Sequence, residues 1–352
     1  MKWLSILFLA SLPFGQLGKI YNVSIHDVFL VFLLIAYCFQ KHHQKKISLA
    51  KPILMFTCIG CLSLFIQITR LPPDEMGVSS LYLLRWVVYA GLYIIATEKW
   101  LWGLYIGGVA FGALGLAQFI LYPDLRNLSY LGWDPHYYRL FSTFLDPNFA
   151  GIYFVLTFLL GTYLLPYKKW LIIVGESIVL VSLLLTYSRS SYLALVAGLL
   201  TVVVLKKQWN VLFGICAFVT LVFVLPKTPG STLDLFRMDS TVARFDNWQQ
   251  SIQLIKKAPL FGHGFNTIRY VHPFGLDSSI LFVGATTGII GLLAYGYLLY
   301  SMIRVGRKHV WYLSSFVALG VHSLFVNSAF YPWVMIWIWI ARGAVERISD
   351  DK

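Results

Sequence analysis

Charge is what this chain has least of. Only 12% of its 352 residues are Asp, Glu, Lys or Arg, and 58% are hydrophobic. Soluble domains carry roughly a quarter charged residues, so a water-soluble globular fold is excluded. Cysteine is scarce too: Cys38, Cys58, Cys61 and Cys216 all lie inside apolar runs, which rules out a disulfide framework in the polar loops. Cys58 and Cys61 form a CxxC, but no second pair or nearby histidine joins them, and helix packing accounts for the spacing. There is no GxxxxGK[ST] loop to hold ATP. The acids between the apolar runs look scattered and no two histidines share helical ligand spacing, so neither a metal nor another cofactor is expected. The net charge of +13 does not indicate nucleic acid, because its lysines and arginines sit mostly in short loops between apolar runs.

Those runs are what the chain has in abundance. They fall near 3–18, 25–40, 51–68, 79–97, 100–121, 148–166, 170–187, 190–205, 209–226, 278–303, 310–327 and 330–342. Most approach the ~20 residues needed to cross a bilayer core of about 30 Å as helix. They are continuous rather than alternating, which argues against a β-barrel. The first follows Lys2 but has no convincing small-residue cleavage site, so it reads as a retained helix rather than a signal peptide. The first and last are short and read as tilted or re-entrant. The expected fold is all-α: a polytopic transmembrane helical bundle of about twelve spans in one integral membrane domain, 1–352. One large external loop, 227–277, contains short helices.

Orientation follows from the basic loops. With the N-terminus cytoplasmic, Lys41, Lys45, Lys46, Lys51, Lys168, Lys169, Lys206, Lys207, Arg304, Arg307, Lys308, Arg342 and Arg347 all fall on the inner side of a strictly alternating path. This is the positive-inside pattern. Both termini are then cytoplasmic. The outer side receives the loops at 70–79, 122–148 and 187–191, the large loop, and most of the acids.

The segment 227–277 is the long stretch too polar to cross. Within it, 241–257 reads as an amphipathic helix with Phe245, Trp248, Ile252 and Ile255 as its apolar stripe, ended by Pro259 and Gly262. Arg244 near the start of that helix opposes the helix dipole, which prefers anions there; either a ligand or an ion pair with Asp239 or Asp246 explains it. Gly262-His263-Gly264 forms a turn whose N–H groups suit an anion or simply end the helix. His272 suits proton abstraction from a hydroxyl near neutral pH, as does His263 nearby. Tyr187-Ser188-Arg189-Ser190-Ser191 places a guanidinium at a fresh helix N-terminus, a phosphate-type site or an arginine reaching headgroups. Asp146-Pro147-Asn148 reads first as a helix start, with a ligand role as the alternative. Arg85 is a charge within a span, nearer its outer end, and Glu176 the one obvious buried acid. His322 and Asn327 line the same cavity or bond to neighbouring helices.

Three stretches, TYSRSSYLALVAGLL, ARFDNWQQSIQLIKKAPLFGHGFNTI and VHPFGLDSSILFVGATTGIIGLL, resemble the O-antigen ligase and polymerase superfamily in order and spacing, and DPNFAG and HSLFVNSAFYPW are similar to further family patterns. The resemblance covers roughly 146–333. It implies glycosyl transfer at the outer face of a bacterial plasma (inner) membrane, from an undecaprenyl-pyrophosphate-linked glycan to an acceptor glycan, alongside other polysaccharide assembly proteins. It also implies that Arg189 and Arg244 bind the pyrophosphate and that His272 is the base. Arg85, Asn148, Trp248, Gly262, His263, Gly264 and His322 are the candidates expected around the substrates. Where the family commonly has His-Asn, this chain has His272-Pro273. Polymerase, ligase, a flippase of lipid-linked sugars and a non-enzymatic scaffold are the competing readings; the first is favoured, because nothing marks a lipid A acceptor.

Overall fold

A computed structural model describes residues 2–20, 23–40, 47–225, 239–271 and 275–350. In chain order its helices are α1 (Lys2–Ser11), α2 (Ile25–Cys38), α3 (Ala50–Ile66), α4 (Pro73–Ala90) with its short continuation α5 (Leu92–Ile95), α6 (Lys99–Leu121) and α7 (Pro147–Leu164). There follow α8 (Lys169–Leu185), α9 (Arg189–Lys206), α10 (Val211–Val224), α11 (Asp239–Lys257), α12 (Ile268–Val271), α13 (Ser279–Gly306), α14 (Val310–Phe325) and α15 (Pro332–Asp350). Among the described residues, strand pairing is limited to one isolated bridge and a two-residue hairpin, Lys19–Ile20 against Val23–Ser24. The fold is all-α. Pro73–Ile95, Lys99–Leu121, Pro147–Leu164, Arg189–Lys206 and Ser279–Arg304 are long and apolar enough to cross a membrane; Ile25–Cys38, Ala50–Ile66 and Val211–Val224 are apolar but shorter.

The first and last runs differ from expectation. Pro13 and Gly15 end α1 early, and the chain continues as a 3-10 segment, Leu12–Gly18. Gly15 has φ 56° there, and a Cβ would lie 2.4 Å from the Thr143 carbonyl oxygen, so only glycine fits. The last helix runs on to Asp350, well past the expected end at 342. Arg342 is thus buried within it, bonded to Glu346 (3.1 Å) and Ser48 (2.9 Å). Burying an arginine is tolerable when it is paired in this way.

The helix ends sort into two sets. α9 and α14 pack antiparallel: Gly198 brings α9 close enough that a Cβ would sit 3.2 Å from the Ser314 carbonyl oxygen, the small-residue contact that membrane helices favour. The starts of α7, α9, α13 and α15 and the ends of α8 and α14 gather at one end of the bundle. Lys168, Lys206 and Arg304 mark the opposite ends of α8, α9 and α13.

Two features shape the first end. α13 breaks at Gly288 (φ 69°), and the turn 258–264 inserts into the break. His263 and Gly264 donate N–H bonds to the Ala285 and Thr286 carbonyls (2.9 and 3.0 Å), while Ile289 donates to Pro259 (2.8 Å). Carbonyls freed by a helix break must find donors away from water, and this turn supplies them. A Cβ at Gly288 would lie 2.2 Å from the Leu260 carbonyl oxygen, and one at Gly262 would lie 2.4 Å from the backbone of Thr286.

The second feature is α11, helical as expected but turned. Its buried face is Asn247, Ser251 and Leu254, whereas Phe245 and Ile252 of the expected stripe are exposed. A polar residue belongs at that interface because Asn247 ties down the segment entering α13. Its Nδ2 donates to Gly275 O (2.7 Å) and its Oδ1 accepts from Asp277 N (3.1 Å).

Candidate active site

Arg189 is placed by backbone the sequence barely advertises. Tyr187 takes a left-handed conformation (φ 50°), turning the chain sharply from α8 to α9. Arg139, buried in the loop before α7, clamps that turn: its Nε donates to Thr186 O (2.8 Å) and an Nη to Tyr187 O (3.4 Å). Arg189 then opens α9 and donates to Thr241 Oγ1 of α11 (3.4 Å). The bundle and the loop helix are joined at this guanidinium.

Arg244 lies about one turn along α11 from Thr241. It is half-buried, its guanidinium 5.8 Å from the Phe325 ring centroid at the end of α14. Trp248 stacks on the same ring (5.8 Å, 28°), which seats α11. Among the side chains described, no carboxylate lies within salt-bridge distance of Arg244: a pair with Asp246 does not form, and the Asp239 side chain lies outside the description. The charge of Asp277 acts on it most strongly, followed by Arg189 and Asp146. Burial lowers the Arg244 pKa, with Asp277 opposing that shift. Burial likewise raises the Asp277 carboxyl above the usual carboxylate range, with Arg244 pulling the other way and Asp134 and Asp146 adding to the rise. Two guanidiniums and a partly desolvated carboxylate therefore share a neighbourhood.

Beneath them is a hydroxyl network. Ser188 Oγ donates to Asn148 Oδ1 (3.0 Å), and Ser190 and Ser191 meet His322 Nε2 at 3.2 and 3.1 Å. The other ring nitrogen, Nδ1, is 2.6 Å from Ser328 Oγ. His322 is wholly buried. It locks α14 to α9, and Asn148 locks α7 to α9. Asp146 caps α7, accepting from Asn148 N (2.6 Å) and Phe149 N (3.1 Å), and burial raises its carboxyl pKa.

Arg85 finds a partner the sequence did not suggest. It pairs with Asp27 (2.7 Å), not Glu176, and Tyr89 OH donates to the other Asp27 oxygen (2.5 Å). Asp27 also accepts from Ser24 N (2.9 Å), completing a capping box. The Gly262–Gly264 N–H groups are engaged inside the fold, and His263 Nε2 contacts Leu254 O (2.9 Å), pinning the turn to α11. His272 lies outside the described residues. The outer acids are less scattered than the sequence suggests. Ligand atoms of Asp134, His136 and Asp146 fall within 4.8 Å of one another, a set able to hold a cation, although the charges of Arg139 and Arg244 also act on Asp146.

Residues 177–296 match the O-antigen ligase family, Wzy_C. The match supports the O-antigen ligase and polymerase superfamily, in agreement with the quoted motifs. The matched segment contains Arg189, Arg244, Trp248, the glycine turn, His272 and Asp277; Arg85, Asn148 and His322 lie outside it. No curated protein matches the chain. Sequence reasoning missed Arg139, Asn247 and the placement of Asp277 beside Arg244. An arginine amid the aromatic YYRLF stretch was the one available signal for Arg139.

Proposed function

We propose that this chain is an inverting, metal-independent glycosyltransferase with its active site on the outer face of a bacterial plasma membrane. It moves a glycan from undecaprenyl pyrophosphate to a sugar hydroxyl and, in the reading we favour, extends a surface polysaccharide. The observation that carries this is the junction of α9 and α11, where Thr241 links Arg189 to the helix bearing Arg244. A diphosphate leaving group gains negative charge as its bond to the anomeric carbon breaks. Two fixed guanidinium forks in a partly desolvated site stabilise that charge without reorganising.

In the step itself the acceptor oxygen bonds to the anomeric carbon opposite the leaving diphosphate, which departs with the bonding electrons. The acceptor proton passes to a base on the segment entering α13. His272 is the base the resemblance implies; Asp277 is the described group that faces Arg244. Burial brings the Asp277 carboxyl closer to neutrality, where a base is both ionised and effective. Asn148 and His322 act as positioning residues that hold the starts of α7 and α9 in register. The lipid end of the donor also has a matching surface. An apolar cavity of about 170 Å³ between α13, α14 and α15 is lined by Leu298, Met302, Phe316 and Ile338, and reaches Ser279 at the start of α13.

The test is reconstitution. Purified protein is mixed with an undecaprenyl-pyrophosphate oligosaccharide, without ATP or metal, and glycan length and released lipid diphosphate are measured. Longer glycan with stoichiometric release supports a polymerase, and transfer only to an added foreign acceptor supports a ligase. Neither product, from protein that is folded, would overturn the proposal.

A further inference from the structure

Between α4, α12, α13 and the start of α15 lies a second cavity, of about 200 Å³, whose contents the transfer step does not specify. Phe149 forms part of its wall, one residue from Asn148, so it adjoins the candidate active site. Its walls are mainly aromatic, yet two guanidiniums enter it. Arg269 lies 4.1 Å from the Tyr82 ring centroid and Arg85 lies 5.4 Å from the same ring. The charges of Arg269, Arg85 and Lys19 all act on the Tyr82 hydroxyl. Asp27 pairs with Arg85 and offsets one of these cations. The field in the cavity is therefore positive.

Two buried amide atoms point to what fills it. Asn266 holds Arg269 through its Oδ1 (2.9 Å), which leaves its Nδ2 as a donor without a partner among the described residues; the residue is 9% exposed and lines the cavity. Asn327 Oδ1, on the same lining, is a buried acceptor without a partner among the described residues. Buried polar groups left unmet are costly, so a ligand supplying both an acceptor and a donor is favoured. A phosphodiester by itself offers acceptors only, so a headgroup would need a hydroxyl or amine beside it to meet Asn327 Oδ1. A sugar offers hydroxyls of both kinds and an apolar C–H face for aromatic walls. A cavity of about 150 Å³ admits benzene, so this one has room for a single sugar ring.

Resting on the glycosyltransferase reading above, we infer that this cavity is a subsite for an acidic sugar, a uronate or similarly carboxylated residue of the glycan, whose anionic group meets Arg269 and Arg85. Asn266 and Asn327 take its hydroxyls. The subsite selects an anionic glycan, and Arg189 and Arg244 act on the diphosphate regardless of sugar charge.

The test uses the full chain in phosphatidylcholine nanodiscs, with a glucuronate-containing tetrasaccharide and its carboxyl-reduced counterpart as probes, titrated by saturation-transfer NMR. The acidic probe should bind at least about tenfold more tightly than the reduced one, as expected for charge-assisted hydrogen bonds. Arg269→Ala, at an exposed side chain, and Asn266→Asp should each weaken the acidic probe by a similar factor with an unchanged unfolding temperature. Arg189→Ala and Arg244→Ala should leave probe affinity intact while slowing transfer about 10²–10³-fold, which separates failure of the subsite from failure of the reaction scheme. Equal affinity for the two probes, no binding of either, or full binding in Arg269→Ala would overturn the inference. So would displacement of the acidic probe by phosphatidylglycerol in the disc, which would mark a headgroup site.

Discussion

Replacing Arg244 with alanine removes one of two guanidinium forks from the leaving diphosphate and little else. The side chain is half-buried against Phe325, and none of the described side chains forms an ion pair with it, although its charge also counters the burial of the Asp277 carboxyl. The forfeited cation–π contact is worth about 0.5–1 kcal/mol at such a site, small beside a total stability of roughly 5–15 kcal/mol. Catalysis should lose far more. Deleting one preorganised donor at a developing anion costs about 10²–10³ in kcat, or ~2.7–4 kcal/mol. Arg244→Lys keeps the charge but not the bidentate fork and should fall between wild type and alanine. If Arg189 and Arg244 grip one diphosphate, the double alanine variant should lose less than the product of the single losses, because groups acting as a unit are not additive. Single-turnover release of undecaprenyl pyrophosphate, with thermal unfolding in the same detergent, measures both sides. Wild-type turnover in Arg244→Ala, or strictly multiplicative losses in the double variant, would refute the shared-diphosphate reasoning.

Three further outcomes follow from the same geometry. A base works only when deprotonated, and burial raises the Asp277 carboxyl pKa; activity carried by Asp277 should therefore fall on the acid side at a pH above the ordinary aspartate value of about 3.9. Asp277→Asn should abolish turnover in that case, whereas an acid limb near 6.5 that disappears in a His272 variant would assign the base to histidine. Gly288→Ala should prevent the 258–264 turn from docking, because its Cβ would meet the Leu260 carbonyl oxygen at 2.2 Å; limited proteolysis should then cut in that turn. His322→Ala removes the ring that bonds Ser190, Ser191 and Ser328, each of which keeps another partner, and should cost about 0.5–1.5 kcal/mol of stability per bond lost, read as a lower unfolding temperature.

Composition and the length of apolar runs made the helices legible, because a bilayer leaves a chain few alternatives. Run ends were less so: Gly15 and Gly288 depart from helix because of what packs against them, and nothing local announces the Thr143 or Leu260 carbonyls. The apolar stripe of α11 is not the face it packs on the bundle. Hydrophobicity picks out Phe245 and Ile252, which stay exposed on the protein, while the helix buries Asn247 and Ser251 to satisfy the segment entering α13. Arg189 was visible as a cation beside hydroxyls at a helix start. The clamp by Arg139, some 50 residues upstream in sequence, was not, because its acceptors are backbone carbonyls and leave no pattern in side-chain identities. The Arg85–Asp27 pair escaped for a related reason, since α2 and α4 become neighbours only in the folded bundle.

The central claim is that Arg189 and Arg244 hold one diphosphate between α9 and α11. A cryo-EM structure of the protein in nanodiscs with undecaprenyl pyrophosphate bears on it most directly. Diphosphate density contacting both guanidiniums, with the polyprenyl chain leading toward the cavity between α13, α14 and α15, is the expected result. Density seated away from Arg189 and Arg244, in a map that resolves both side chains, would contradict it.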